Sequence, residues 1–115
     1  MHLRLLAYAA ATIAPALPGH ADETLAASAR SILAEHCFDC HGPDKKQRKG
    51  DLRLDTFAGA TKDLDGYRAI VPGKPDLSEA LALILTDDED DRMPPAKTGK
   101  RLTNAETETL RRWIA

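Results

Sequence analysis

Three residues, Cys37, Cys40 and His41, have types and spacing suited to holding a prosthetic group, because they form the pattern C-x-x-C-H. This pattern is the attachment signature of c-type haem. Two thiols at this spacing near the end of a helix lie on one side and can add to the two vinyl groups of one porphyrin. The histidine directly after the second thiol is then held under the iron as the proximal ligand. We therefore predict one covalent haem c, with Cys37 and Cys40 as tethers and His41 as proximal ligand.

Three other interpretations of the cysteine pair remain open. A dithiol redox motif normally accompanies a βαβ pattern, which this sequence does not show. A zinc site needs four ligands, and no second C-x-x-C or H-x-x-H pair adds to Cys37, Cys40 and the neighbouring histidines. A structural disulfide would close a very small strained loop and would leave His41 without a role.

Met93 is the methionine available as a second axial ligand once the N-terminal segment described below is removed. Haem electron carriers commonly place methionine opposite histidine. Met93 lies in the loop sequence RMPP (92–95), far enough along the chain to return to the opposite haem face. His36 directly precedes a tethered cysteine and cannot reach that face. We predict His41 and Met93 as axial ligands; the alternatives are a sixth position that is open or filled by lysine, with Met93 filling a gap in the core.

The N-terminal residues have the features of an export signal. Arg4 precedes an apolar run over residues 5–14, Pro15 and Pro18 then end any helix, and small residues lead to a cleavage site after Ala21. The run is too short to span the ~30 Å hydrocarbon core of a membrane permanently. We predict a signal peptide over residues 1–21 and a haem domain over 22–115. An apolar core helix and an uncleaved anchor are the alternatives. Because haem c is attached outside the cytoplasm, we expect a periplasmic or other extracytoplasmic location.

Helical patterns dominate the rest of the chain. Apolar residues recur at helical spacing over residues 22–35 and 77–85, and Asp76 or Ser78 is expected to cap the second helix. Thr103 and Glu106 form a capping box that opens a C-terminal helix. Leu52 and Leu54 allow at most a strand of two or three residues. We predict an all-α domain of three main helices joined by long loops.

The composition limits both the size of the core and the kind of partner. The chain has 115 residues, 4% aromatic residues and a net charge of −2. A domain of this size with few aromatics and long irregular loops buries little apolar area, which favours a fold that includes its ligand in the core. The slightly acidic balance argues against a nucleic-acid partner. No nucleophile–base pair or acid–base carboxylate pair stands out, so we do not expect an enzyme.

With these motifs in place, the chain resembles the planctomycete-type cytochrome c family, a branch of the class I cytochrome c fold. The matching stretches are ILAEHCFDCHGPD (32–44), LRLDT (52–56), AIVPGKPDLSEAL (69–81), DDRMPP (90–95) and LTNAETETLRRWIA (102–115). The resemblance implies a fold wrapped around one haem, with Cys37 and Cys40 attached, His41 proximal and Met93 distal. It also implies that Trp113 and Leu110 pack the last helix against the first, near Leu25, Ala29 and Leu33.

These features together predict a mono-haem carrier of single electrons that acts without a membrane span in its mature form. The expected partners are redox proteins or a fused or associated redox enzyme, and we expect a monomer. The alternative is a ligand-binding or sensor module with an open sixth site. Basic residues at 45–49 either form a rim for a redox partner or are a solvated loop. Three arginines are unranked candidates for binding the haem propionates: Arg53, Arg68 and Arg92.

Overall fold

The computed structural model describes residues 9–12 and 18–115, with side chains at 9–12 and 23–115. The predicted export signal over residues 1–21 lies largely outside the described residues. The domain boundary after Ala21 therefore stays a prediction.

The first helix, α1 (Pro18–His36), begins four residues before the predicted start at Asp22. Pro18, which the sequence suggested as a helix end, stands at the start of α1. Proline suits this position because the first backbone N–H groups of a helix have no intrahelical acceptor. The buried face of α1 carries Ala29, Ile32 and Leu33, three residues of the predicted helical stripe or its continuation.

The last helix, α5 (Asn104–Ile114), begins at the predicted capping box. The Thr103 hydroxyl oxygen accepts a hydrogen bond from the Glu106 backbone N–H at 3.1 Å, and Glu106 Oε1 accepts one from the Thr103 N–H at 3.0 Å. Both orphan donors of the first turn are thereby satisfied. Leu110 and Trp113 pack with Ala29 and Leu33 of α1, so the predicted contact between the first and last helices is confirmed.

The helix predicted over residues 77–85 is shorter in the structure. Pro75–Leu77 forms a 3₁₀ turn, and the helix proper, called α4 below, covers Glu79–Leu85. Ser78 occupies the cap position, but its side chain makes no capping bond. Its buried hydroxyl instead accepts from the Val71 N–H at 2.9 Å and donates to the Lys74 carbonyl at 3.0 Å. Ser78 therefore holds the cap position, as expected, but its hydroxyl fastens the preceding turn and makes no bond to the first turn of α4.

Two short helices were not predicted: α2 (Phe38–His41) and α3 (Phe57–Ala60). A 3₁₀ turn also covers Ala96–Thr98. Within the described residues there is no strand, only an isolated bridge between Asp63 and Arg68. The all-helical class is therefore confirmed. Leu52 and Leu54 form no short strand; the Leu54 N–H donates to the His41 carbonyl at 2.7 Å.

The buried apolar residues form two clusters that meet at α2. The first cluster, between α1 and α5, contains Ala29, Ile32, Leu33, Leu102 and Leu110. The second cluster, around α3, contains Leu54, Ala60, Ala69, Ile70 and Ile114. Cys37, Phe38 and Trp113 pack against both clusters. The chain segment with the C-x-x-C-H pattern is therefore anchored in the core of the domain on both sides.

Among the described residues, no helix combines the length and the apolar character needed to span a membrane.

Candidate haem site

The C-x-x-C-H residues occupy one helical turn that continues from α1. The Cys37 N–H donates to the Leu33 carbonyl at 2.8 Å, as in an uninterrupted helix, and the His41 N–H donates to the Cys37 carbonyl at 2.8 Å. The Cys40 N–H also reaches the Cys37 carbonyl, at 3.3 Å. Both cysteines are free and partly buried. The structure thus brings Cys37, Cys40 and His41 together in one turn, as attachment of a single cofactor requires.

The imidazole of His41 is oriented by a backbone carbonyl. Its Nδ1 atom lies 3.0 Å from the carbonyl oxygen of Lys49. Because a carbonyl oxygen can only accept, this contact places a proton on Nδ1. The neutral ring then keeps its lone pair on Nε2. This is the arrangement that metal-binding histidines usually have, with one nitrogen toward the metal and the other donating to a carbonyl or carboxylate.

The loop after α2 is folded so that the Lys49 carbonyl can reach His41. The Lys49 N–H donates to the Cys40 carbonyl at 2.7 Å, which closes the loop onto α2. Gly50 and Asp51 follow with φ angles of 62° and 52°, so the chain turns sharply through left-handed conformations. At the start of the loop, a Cβ on Gly42 would overlap the carbonyl oxygen of Phe38. Gly42 therefore permits a close approach that any larger residue would prevent.

Lys100 binds residues on both sides of Cys37 in the sequence. Its Nζ atom donates to the Glu35 carbonyl at 2.8 Å and to Asp39 Oδ2 at 3.1 Å. Burial raises the pKa of the Cys37 thiol to about 11, although the charge of Lys100 acts in the opposite direction. Cys37 therefore remains protonated at neutral pH and is not a thiolate of the kind found in dithiol redox proteins.

His36 connects the end of α1 with α5. Its Nε2 atom lies 3.1 Å from Glu106 Oε2, and its side chain is 8% exposed. Glu35, His36 and Glu106 form the single group of three potential metal ligands found within the described part of the chain. This group includes neither cysteine, so the structure does not assemble the zinc site considered from Cys37 and Cys40. The Glu106 carboxylate is already used as the N-cap acceptor of α5, and its pKa is lowered first by that backbone hydrogen bond and then by His36.

Met93 lies on a separate loop between α4 and the Ala96–Thr98 turn. It is half-buried, and its N–H donates to the Leu83 carbonyl of α4 at 3.1 Å. The next residue of α4, Ile84, packs against the same apolar cluster as Cys37. Met93 is thus linked to the core through α4. The structure gathers Cys37, Cys40 and His41 in one turn and holds Met93 on a different element.

The three arginines proposed as propionate partners differ sharply in the structure. Arg53 makes two hydrogen bonds to Asp55, at 2.9 Å and 2.6 Å, which raises the pKa of Arg53 and lowers that of Asp55. Arg68 is exposed. Arg92 is half-buried, and its Nε atom is buried without a hydrogen-bond partner. The three arginines could not be ranked from the sequence, because the difference depends on what surrounds each guanidinium.

An apolar cavity of about 360 Å³ lies beside Phe38, the residue that follows the first tether. Its lining comes from all four of α1, α2, α3 and α5 and from the loops between them, and includes Leu33, Phe38, Leu54, Ala60, Ile70 and Trp113. Cys37, Cys40, His41 and Met93 are not among the lining residues. The cavity therefore lies apart from the predicted ligands.

The residues present fit a covalently bound haem. Two free thiols share one helical turn with a histidine whose contact to Lys49 leaves Nε2 available. In addition, the buried Nε of Arg92 lacks an acceptor in the described part of the chain, as expected beside a group with anionic substituents.

Comparison with known proteins agrees with this fit. The helical fold and a match over residues 37–97 to a cytochrome family define the chain as a c-type cytochrome. The matched family is described as planctomycete cytochrome C, and because the match covers more than half of the chain, the chain belongs to this family. This membership implies haem c binding and redox partners. Neither the comparison with curated proteins nor that with solved structures found a match.

Proposed function

We propose that the protein is an exported mono-haem c-type cytochrome that transfers single electrons between redox partners. The observation that carries the proposal is the contact of His41 Nδ1, at the end of the C-x-x-C-H turn, with the Lys49 carbonyl of the following loop. It supplies an oriented imidazole with a free Nε2 next to two thiols. We further propose a class I cytochrome c-like arrangement in which α1, α2, α4 and α5 surround the haem.

Cys37 and Cys40 attach the cofactor in this proposal. Each Sγ atom would add to one carbon of a vinyl group, with the thiol hydrogen going to the other carbon. The addition releases nothing and needs no external oxidant or reductant. Covalent attachment matters in a chain of only 115 residues, since so small a core cannot enclose a porphyrin by packing alone.

His41 and Met93 would be the two protein ligands of the iron in this proposal. When bound, haem supplies a one-electron couple between ferric and ferrous iron. The Lys49 carbonyl fixes the His41 ring, and the contact with Leu83 holds the loop that presents the Met93 thioether. With both positions filled, little needs to rearrange when an electron arrives or leaves. Methionine ligation favours the ferrous state and places the reduction potential toward the upper part of the ~0.8 V range that axial ligands span.

The visible spectrum of protein produced with a c-type maturation system tests the function. We expect a sharp low-spin spectrum in both oxidation states, with no change when carbon monoxide is added to the ferrous protein. A shift on adding carbon monoxide would instead indicate an open or labile sixth site and a ligand-binding module. Absence of haem absorbance from properly matured protein would refute both functions. The variant with Cys37→Ser and Cys40→Ser is the control, because it keeps His41 but should carry no haem on a denaturing gel.

Export is part of the proposal because haem c is attached outside the cytoplasm. The supporting features are Arg4, the apolar run over residues 5–14 and the small residues before Ala21. Mass spectrometry of the haem-bound protein tests this part, with an N-terminus at Asp22 as the expected result. Retention of residues 1–21 would indicate an uncleaved segment and would leave the haem site unaffected.

A further inference from the structure

The side chain of Arg92 is the most informative polar group that the protein itself leaves unpaired. Its Nε atom has almost no exposed surface and no hydrogen-bond partner within the described residues. Buried N–H groups of charged side chains are nearly always paired, because the loss of water is otherwise uncompensated. An Nε without an acceptor here therefore points to an acceptor that the described residues do not supply, such as a bound group.

Three other arginines either have a protein partner or are open to solvent. Arg53 is bound through two nitrogens to Asp55, and Arg48 donates from Nε to the Gly42 carbonyl at 3.1 Å. Arg68 is exposed, so water can satisfy its guanidinium. Among the arginines in the part of the chain that the structure describes, Arg92 alone has a buried and unpaired Nε.

The acidic residues beside Arg92 do not neutralise it. Residues 87–91 are five consecutive acids, all exposed, and none of them forms an ion pair with Arg92 within the described residues. The backbone N–H of Arg92 donates to the Asp88 carbonyl at 2.9 Å, so the acidic turn fixes the main chain of Arg92. The Nε atom of Arg92 is buried, whereas all five acidic residues are exposed to solvent.

We propose that Arg92 binds a haem propionate through its buried Nε and the rest of its guanidinium fork. The inference rests on the proposed haem binding and deepens it. The planar fork of arginine matches a carboxylate with two parallel hydrogen bonds, and propionates are the carboxylates that haem carries. Arg92 also directly precedes Met93, so the loop that presents the distal ligand would also hold the anionic edge of the macrocycle.

This contact has an electrostatic consequence for the iron. A fixed positive charge near the macrocycle stabilises the ferrous state, which carries one electron more than the ferric state. Arg92 would therefore raise the reduction potential in addition to holding the cofactor. It is a cofactor-binding residue, and its removal should change both the potential and the environment of the propionate.

The test compares haem-loaded Arg92→Gln with two controls that remove the same charge. Arg68→Gln removes it from an exposed arginine, and Arg53→Gln removes it from an arginine paired with Asp55. At a fixed applied potential, Arg92→Gln should raise the ferric-to-ferrous ratio roughly three- to tenfold relative to either control. The propionate bending band in the resonance Raman spectrum should shift in Arg92→Gln and remain unchanged in Arg68→Gln. Arg92→Lys keeps the charge and should restore much of the ratio.

The outcomes separate this inference from the proposed function. A wild-type protein without haem would refute the proposed function. Haem-loaded Arg92→Gln with the ratio and Raman band of the controls would overturn the propionate contact and leave the electron carrier intact. If neither Arg92 variant retains haem, the nuclear Overhauser spectrum of the ferrous wild-type protein provides the test. A contact between the Arg92 Nε proton and the propionate methylene protons supports the inference, and its absence overturns it.

Discussion

The Nδ1 atom of His41 and the carbonyl oxygen of Lys49 lie 3.0 Å apart, which joins α2 to the loop that follows it. The contact depends on the sharp turn at Gly50 and Asp51, where both φ angles are positive. A backbone carbonyl cannot be removed by mutation, so the contact is best disturbed by substitutions in the turn. The hydrogen bond also raises the basicity of the imidazole, which favours ferric iron.

Gly50→Val should weaken this contact. A β-branched residue is strained at a φ of 62°, at a cost of ~1–3 kcal/mol, so the loop should relax and displace the Lys49 carbonyl. Loss of the hydrogen bond makes His41 a weaker donor to iron, so the reduction potential should rise. Gly73→Val is the control, because Gly73 has a φ of 77° and no atom near its Cβ position. Both variants should melt at lower temperature, and equal potentials for the two would contradict the role of Lys49.

Met93→Leu tests the distal ligand at nearly constant side-chain volume. Leucine fills much the same space but has no sulfur, so packing should be largely kept while ligation is lost. We expect haem to stay attached, the potential to fall and the ferrous protein to bind carbon monoxide. Met93→Ala should give the same spectrum with lower stability. If the spectrum of ferrous Met93→Leu does not change when carbon monoxide is added, Met93 is not a ligand of the iron.

Leu110→Ala should strongly destabilise the haem-loaded protein. Leu110 is 3% exposed and belongs to the cluster that joins α1 to α5, so truncation leaves a cavity and should cost ~2–5 kcal/mol. Leu77→Ala is the matched control, since Leu77 is 64% exposed. The control should change stability by less than about 0.5 kcal/mol. Urea unfolding followed by circular dichroism measures both values, and similar midpoints would contradict the packing of α5 on α1.

Acid should destabilise the protein in part through Glu106. The Thr103 N–H and then His36 lower the pKa of the Glu106 carboxyl below its value in the unfolded chain, which is about 4.3. The contribution is therefore fully present above that unfolded value and is lost as the pH falls through the lower folded pKa. Compared with the wild-type protein, Glu106→Gln should have a lower free energy of unfolding at pH 7. Its free energy of unfolding should also fall less as the pH is lowered below about 5. Glu89→Gln, an exposed residue outside α5, is the control, and an identical pH slope in the two variants would contradict the prediction.

The sequence predicted the site best where side chains form a short local pattern. Cys37, Cys40 and His41 occupy one turn as expected from their spacing, and the capping box of Thr103 and Glu106 is present. The Lys49 carbonyl could not be predicted, because every residue has a carbonyl and only the folded loop brings this one to His41. Ser78 shows a related limit. It stands at the cap position of α4, but its hydroxyl bonds to Val71 and Lys74 in the preceding turn, and the sequence does not reveal these partners.

The arrangement of Cys37, Phe38 and Trp113 between both apolar clusters has a consequence for cooperativity. Neither cluster is large enough to be an independent folding unit, and each shares these three residues with the other. Opening one cluster therefore exposes part of the other, so α1, α5 and the segment around α3 should exchange their amide protons as a single unit. Attaching a cofactor at Cys37 would then stabilise the whole domain, because the Cys37 side chain lies where the two apolar clusters meet.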